Sequence, residues 1–496
     1  MDGIFHPSYE AFVKLARHSN VIPVYTEILS DVETPVSVLL KLKYFSYPFL
    51  LESVEGGERW ARYSFIGFDP SSVFRVRQRN VSITRYNGGH AVTQVYRAVP
   101  DPLEILRAEL RKYRPAVIEG LPGFVGGAVG YFGYDMVKTF EKVPDRGKPS
   151  LGFDDVFLLF TNRLVIFDNI RHTIIILSNA FTDGRNAKDA YRSAIASIKK
   201  VVSILNRPLA PAKKKRHIVR PFKSNMTPQE YEGIVRKGKR HIADGDIIQV
   251  VLSQRFSSRS LVDPVSFYRA LRLINPSPYM FYFDMGGRHL IGSSPEVLVR
   301  FEGGKIVIRP IAGTRKRGRT AEEDRALEMD LLADEKERAE HVMLVDLARN
   351  DAGRVSKIGS VRVDELMAVE RYSHVMHIVS EVSGSVLDGR DTIDILKSVF
   401  PAGTLSGAPK VKAMEIIEQL EKDSRGPYGG AVGYISYTGS MDTCITIRTA
   451  FVDHDGVHVQ SGAGIVYDSE PAKEYRETRS KAQALMDALK KAAEIG

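Results

Sequence analysis

Cysteine is nearly missing from this chain: there is one, Cys444, in 496 residues. A single thiol can close no internal disulfide and build no thiolate zinc centre. Its setting, MDTCITIRTA, alternates like a buried strand, which predicts a core thiol and not a nucleophile. Long apolar runs are missing too; none approaches the roughly 20 residues that a membrane-spanning helix needs. Met1 to Phe12 carries acids and a proline in place of a basic-then-apolar leader, so a cytoplasmic location with no membrane partner is expected. No GxGxxG or GxxxxGKS/T string opens a helix after a strand, which leaves nucleotide folds without support.

The charge balance is +10, which admits nucleic acid or an anionic metabolite as partner. The one dense basic run, Lys213-Lys214-Lys215-Arg216, follows Pro208 and Pro211 and reads as exposed linker. No basic motif with interleaved aromatics is present, so no nucleic-acid binding is expected.

What remains is ordinary for a globular enzyme: 43% hydrophobic and 26% charged residues. The length exceeds a single core and predicts two large lobes. The segment 206–224 divides a strand-rich N-terminal region, 1–205, from a second region, 225–496. VSITRY and LVIFDN alternate as strands in the first. In the second, Thr227 fits an N-cap, Pro228 the first helical position and Glu230 the return bond of a capping box. That helix should end near Asp244-Gly245, before a buried strand IIQVVLSQRF. Asp263, Pro264 and Asn275-Pro276 bracket another short helix in the same way. Many strands with interspersed helices make an α/β (α+β) chain. GGAVGY occurs at 126–131 and again at 429–434. Small residues let another backbone come close, so the echo marks either two sheets built alike or a chance convergence.

Two acidic pairs stand out. Glu337 and Glu340 are three apart, as are Glu474 and Glu477; on helices each pair shares a face. Converging faces would offer hard oxygen ligands to Mg2+, although an E-x-x-E pair is equally an ordinary solvated face. Lys481, four residues after Glu477, makes an intrahelical ion pair or a substrate contact. Arg448 lies among apolar strand residues and needs a partner, such as a carboxylate. Glycine-rich PIAGT, FPAGTLSGAPK and QSGAGIVYDSEP can expose backbone amides to an anion or can simply turn. His377 sits in an apolar, strand-like stretch. Glu296 follows a proline in IGSSPEVLVR; burial would raise its pKa and make it a general acid.

Together these segments resemble the chorismate-utilising enzymes, and among them anthranilate synthase component I. NPSPYMFYF, IGSSPEVLVR, RPIAGTRKRG, ERAEHVMLVDLARND, VMHIVSEV, FPAGTLSGAPKVKAMEII, YGGAVGYIS, DTCITIRT, QSGAGIVYDSEPAKEYRET and KAQAL run in family order through the second region. LLESVEGGERWARYSFIG carries a looser match in the first. The resemblance implies two large, mainly antiparallel sheets packed face to face with helices outside. It implies a lyase that makes anthranilate and pyruvate from chorismate and ammonia for tryptophan biosynthesis.

The roles below are what the resemblance implies. Glu340 and Glu477 hold magnesium, with Glu337 and Glu474 close by through water. Tyr428, Arg448, Gly462, Gly464 and Lys481 contact the substrate carboxylates, and Gly313 and Thr314 face the ring. Thr404 lines the same site, Glu296 protonates the departing hydroxyl, and His377 belongs to pyruvate elimination. Glu52, Ser53, Asn275, Pro278, Tyr279, Met280, Val432 and Tyr434 form a tryptophan-feedback site, with Glu52 receiving the ammonium. Relatives that add water carry a lysine where this chain has Gln249, and aminodeoxychorismate synthases a lysine where it has Ala312. Cys444 lacks a nucleophile elbow, so ammonia from glutamine requires a separate amidotransferase small subunit. The other readings are aminodeoxychorismate synthase component I and a non-catalytic amino-acid sensor.

Overall fold

The computed structural model describes residues 4–54, 62–87, 89–209, 217–372 and 375–495. The basic run 213–216 lies outside them. Two twelve-stranded sheets form among the described residues, each an eleven-strand path with one strand beside it: Gly407–Ala408 on Gln249–Ser258 in the first, Arg362–Arg371 on Val375–Ser385 in the second. One runs from Val21–Leu29 through Thr173–Phe181, Arg163–Asp168, Tyr63–Gly67 and Phe49–Glu52 to Tyr279–Asp284, His289–Ser294, Thr449–Asp453, Gly456–Ile465, Gln249–Ser258 and the short Lys223–Ser224. The other runs from Ile311–Lys316 through Val375–Ser385, Lys305–Ile308, Val297–Glu302, Met441–Ile445 and Ala431–Ser436 to Gly127–Phe132, Val156–Thr161, Ser72–Arg77, Asn80–Asn87 and His90–Tyr96. The regions on either side of 206–224 share both sheets. Phe49–Glu52 pairs antiparallel with Tyr279–Asp284, and Gly127–Phe132 pairs antiparallel with Ala431–Ser436.

Strand alternation separates two cores. Phe281, Phe283 and Leu290 of the first sheet and Val129, Tyr131 and Leu159 of the second belong to one buried cluster and fill the space between the sheets. Met280, Tyr282 and Ile291 point the other way, onto helices. Those helices include Pro264–Ile274 and Pro471–Ile495, whose Ala270, Leu271, Leu485 and Leu489 are fully or almost fully buried. Each such side chain contributes about 1.5–3 kcal/mol through burial. Truncating Phe281 to alanine would cost about 3–5 kcal/mol. Two mainly antiparallel sheets, face to face with helices outside, is the architecture the family resemblance implies.

The local signals hold where they were strongest. Thr227 Oγ1 accepts the Glu230 amide at 3.2 Å, and Glu230 Oε2 accepts the Thr227 amide at 2.8 Å. The helix they start, Pro228–Ala243, ends at Asp244. The GGAVGY echo has a specific cause. Its two copies are neighbours in one ladder, with Gly130 directly opposite Gly433. A Cβ on Gly130 would sit 2.0 Å from the Phe157 carbonyl oxygen, and one on Gly433 would sit 2.1 Å from that of Asp442. The repeat therefore does not mark two sheets built alike; close backbone approach on both strands excludes side chains. Cys444 is 1% exposed in the strand Met441–Ile445, as its alternating setting predicts. No helix among the described residues is long and apolar enough to cross a membrane.

Candidate active site

Two helices bring the acidic pairs together. In Glu335–Gly353 the apolar residues Leu344, Ala348 and Ala352 recur at four-residue spacing and anchor one stripe in the core. Its N-terminus, capped by Asp334 on the amides of Lys336 and Glu337, projects Glu337 and Glu340 beyond that anchor. In Pro471–Ile495 the buried stripe is Thr478, Ala482, Leu485 and Leu489. Glu477 and Lys481 each stand one residue before a member of it, at its edge. Both acidic edges face one cavity of about 530 Å3. Glu337, Glu340, Glu474 and Glu477 all line it.

Burial holds the Glu340 carboxyl above its ordinary pKa, and the Glu337 charge adds to this. Glu337 is raised by burial and by Asp334, and Glu474 by burial and by Glu477. These acids face one another with too little compensating positive charge. Lys481 lies 2.7 Å from Glu477, and Lys336 also reaches the cavity. The acids do not form a closed cage. Among the described residues, the one group of three or more such side chains with donor atoms within 4.8 Å of one another is the hairpin Asp453, His454 and Asp455, remote from this cavity's lining. Spaced oxygen donors suit Mg2+, which binds through one or two carboxylates and keeps its other positions for water and substrate oxygens.

The same cavity also holds groups for an anion and for proton transfer. Arg448 donates from Nη1 to the Lys481 carbonyl at 2.7 Å and has its backbone at φ +51°. Lys481 Nζ also donates to the Gly462 carbonyl at 3.2 Å. A Cβ on Gly462 would come within 2.9 Å of the Tyr428 hydroxyl, so glycine here lets the buried tyrosine into the cavity wall. Gly464 lies beside Gln249, whose Oε1 is buried without a hydrogen-bond partner.

Glu296 is 8% exposed and takes one hydrogen bond, 2.9 Å, from Thr404 Oγ1. Burial pushes its pKa up to about 8. His377 Nδ1 lies 3.2 Å from the Gly313 carbonyl oxygen and 3.0 Å from Thr314 Oγ1. A carbonyl only accepts, so Nδ1 carries the proton and Nε2 is left as a base. Burial lowers the imidazole pKa and keeps it neutral. The cavity thus combines a protonated acid and a neutral base with a cluster of carboxylates.

Every catalytic, substrate and metal position singled out in the sequence lines this cavity. Lys336 and Gln460 line it as well and were passed over. Lys336 is masked among alternating charges in DEKERAE. Gln460 was findable, because it precedes Gly462 by two and therefore shares its strand face.

A second cavity, about 480 Å3, lies elsewhere in the sandwich. Glu52, Ser53, Pro278, Tyr279 and Met280 line it, with Val432 and Tyr434. Asn275 does not. It ends the helix Pro264–Ile274 and donates from Nδ2 to Ser293 Oγ at 2.9 Å, one layer behind. Glu52, expected to receive an ammonium, already has partners. Arg272 holds both its oxygens at 2.8 and 2.9 Å, and the Tyr268 hydroxyl adds a third bond at 2.8 Å. Two further lining residues, Arg300 and Asp442, pair at 2.8 Å, and Tyr279 donates to Asp442 at 2.8 Å.

The comparisons with known proteins agree with this geometry. A family model described as chorismate binding enzyme matches residues 48–487. Anthranilate synthase component 1 of Acetivibrio thermocellus is 47% identical, covering 99% of this chain and 100% of the relative. That of Aquifex aeolicus is 50% identical over 98% of each. Among solved structures, anthranilate synthase component I of Streptococcus pneumoniae superposes with a TM-score of 0.75 at 36% identity, covering 92% of this chain and 99% of the other. The menaquinone-specific isochorismate synthase of Escherichia coli shares the fold at a TM-score of 0.71 and 18% identity, over 97% of this chain and 99% of its own. With nearly half of its residues shared along its full length, this chain belongs to the chorismate-binding enzymes and, within them, to the anthranilate synthase component 1 proteins.

Proposed function

We propose that this chain converts chorismate and ammonia into anthranilate and pyruvate, in the cytoplasm and with Mg2+. One observation carries the reading: four glutamates from two helices line a single cavity together with a neutral histidine and a protonated glutamate. Glu340 and Glu477 would hold the metal directly, and Glu337 and Glu474 through water. A divalent cation held there would supply Lewis-acid neutralisation of the ring carboxylate. Arg448 grips a carboxylate through charge-assisted hydrogen bonds, beside the Tyr428 hydroxyl. Glu296, protonated at neutral pH, gives its proton to the departing allylic hydroxyl, since hydroxide alone leaves poorly. Ammonia attacks the ring carbon next to the carboxylate. His377 Nε2 stands ready for the proton lost as enolpyruvate leaves and the ring becomes aromatic. Holding both reactants in one cavity supplies the entropic part of the acceleration.

Ala312 supports anthranilate over the 4-amino product. It lines the cavity with a methyl group where a lysine would offer a nucleophile. Gln249 likewise cannot act as the base that activates water. Glutamine-derived ammonia would come from an amidotransferase subunit, because burial pushes the Cys444 thiol well up, away from thiolate chemistry. The second cavity would take tryptophan as a feedback inhibitor, with the Tyr279 ring against the indole; the Met280 side chain, expected beside it, packs toward the helices instead. Chorismate, ammonium and Mg2+ with the purified chain test the reading. Fluorescent anthranilate is expected; a 4-amino or non-aromatic product would replace it with a sister activity. No turnover would favour an amino-acid sensor. Glutamine alone should give nothing, and millimolar tryptophan should inhibit.

A further inference from the structure

Among the described residues, Arg448 is the one non-glycine residue of the cavity lining with left-handed backbone, φ +51°. Left-handed backbone in a non-glycine residue costs about 1–3 kcal/mol and persists only where neighbours hold it. One holder is the guanidinium's own bond to the Lys481 carbonyl. Another is Ser293, whose amide donates to the Arg448 carbonyl at 3.1 Å.

Ser293 is fully buried and faces the other cavity's frame through its side chain. Its hydroxyl donates to the Asn275 carbonyl, accepts from Asn275 Nδ2 at 2.9 Å and lies 2.9 Å from Ser277 Oγ. Ser277 immediately precedes Pro278, Tyr279 and Met280, which line the second cavity. On the strand ladder Ser293 stands directly opposite Met280. One residue therefore holds the segment 275–280 through its side chain and the Arg448 carbonyl through its backbone.

We propose that Ser293 is a positioning residue for Arg448, and that occupancy of the second cavity is communicated to the substrate carboxylate through it. The second half rests on the tryptophan reading above. A ligand that displaces 275–280 also pulls on Ser293, and the left-handed turn at Arg448 then loses one of its holders. The effect falls on substrate affinity, and linkage makes it mutual: bound chorismate weakens tryptophan by the same factor. This also gives Asn275 a role, although it does not reach the cavity itself.

The test is Ser293→Ala in the full-length chain, assayed with ammonium, chorismate and Mg2+, with tryptophan binding followed by calorimetry. The chorismate KM should rise about fivefold with kcat within about twofold, the size of one hydrogen bond lost. Tryptophan should bind within about threefold of the unmodified chain, while the factor by which it raises KM falls at least about fivefold. A folded Ser293→Ala chain with unaltered KM and unaltered tryptophan response overturns the proposal, as does a fall in kcat at constant KM. If that chain does not fold, Ser277→Ala removes a neighbouring oxygen of the same cluster. It should cut the coupling about twofold, and unaltered coupling there also overturns the proposal. Absence of tryptophan binding by the unmodified chain would instead strike the regulatory reading; the positioning of Arg448 is then decided by the KM of Ser293→Ala alone.

Discussion

The two cavities lie in the same sandwich and are of similar volume, yet their charges are arranged in opposite ways. In the second cavity each buried acid already has its arginine: Glu52 has Arg272, and Asp442 has Arg300. In the first, Glu337 has Arg315 only at 3.7 Å, and no arginine pairs with Glu340 or Glu474 among the described residues. A balanced site receives a zwitterion by exchanging partners at little net cost. An unbalanced one is completed only by added positive charge, and Mg2+ together with an anionic substrate supplies such a pairing. On the proposed function, the contrast would separate a site that binds and releases from one that polarises.

Glu340→Gln should sharpen this difference most. Turnover is expected to fall by about three orders of magnitude, some 4 kcal/mol of metal-assisted charge stabilisation. Tryptophan affinity, read by calorimetry, should stay at the unmodified value. A parallel loss of tryptophan binding would mean that the cavities are not electrostatically independent. Next in size is Arg448→Lys, which keeps the charge but loses the planar fork. The chorismate KM should rise about 10–100-fold, matching 1.5–3 kcal/mol for hydrogen bonds to a charged group; an unchanged KM would show that Arg448 does not grip the substrate.

The pH dependence comes third. Glu296 donates only while protonated, so kcat/KM should fall as pH rises through about 8, reaching about tenfold per unit beyond it. On the acid side, the lowered His377 pKa keeps the imidazole neutral below its ordinary 6.5. Glu296→Gln should remove the alkaline limb along with most of the activity. A limb that survives this change belongs to another group.

The first cavity was far more legible in the sequence than the second, for a physical reason. Its acids lie on two helices at fixed spacing, and its glycines and histidine sit in unbroken strings. Local periodicity alone puts Glu337 beside Glu340. The second cavity is built by cross-strand pairing. Glu52 meets Met280, and Arg300 meets Asp442, only through the register of the sheets. A reading of spacing could not supply those partners, nor the Arg272 guanidinium that pairs with Glu52. Asn275 was misplaced for a related reason. The sequence shows where its helix stops, but not which way the terminal side chain turns. The GGAVGY echo was visible; its meaning as two facing strands needed the register Gly130 to Gly433.

The smallest expected effect concerns stability at Glu296. Its folded pKa, about 8, lies above the ordinary 4.5, so the folded chain binds this proton more tightly than the unfolded chain does. Its contribution to stability is therefore fully present below 4.5 and is lost as pH rises through about 8. Above that value a charge is buried with Thr404 as its hydrogen-bond donor. Glu296→Gln keeps the shape and the bond from Thr404 but cannot ionise. It should melt with the unmodified chain at pH 5 and about 2 °C above it at pH 9. A difference in melting temperature that is constant from pH 5 to pH 9 would show that Glu296 is not held neutral by burial. The cavity would then lack the proton donor that distinguishes it from its balanced neighbour.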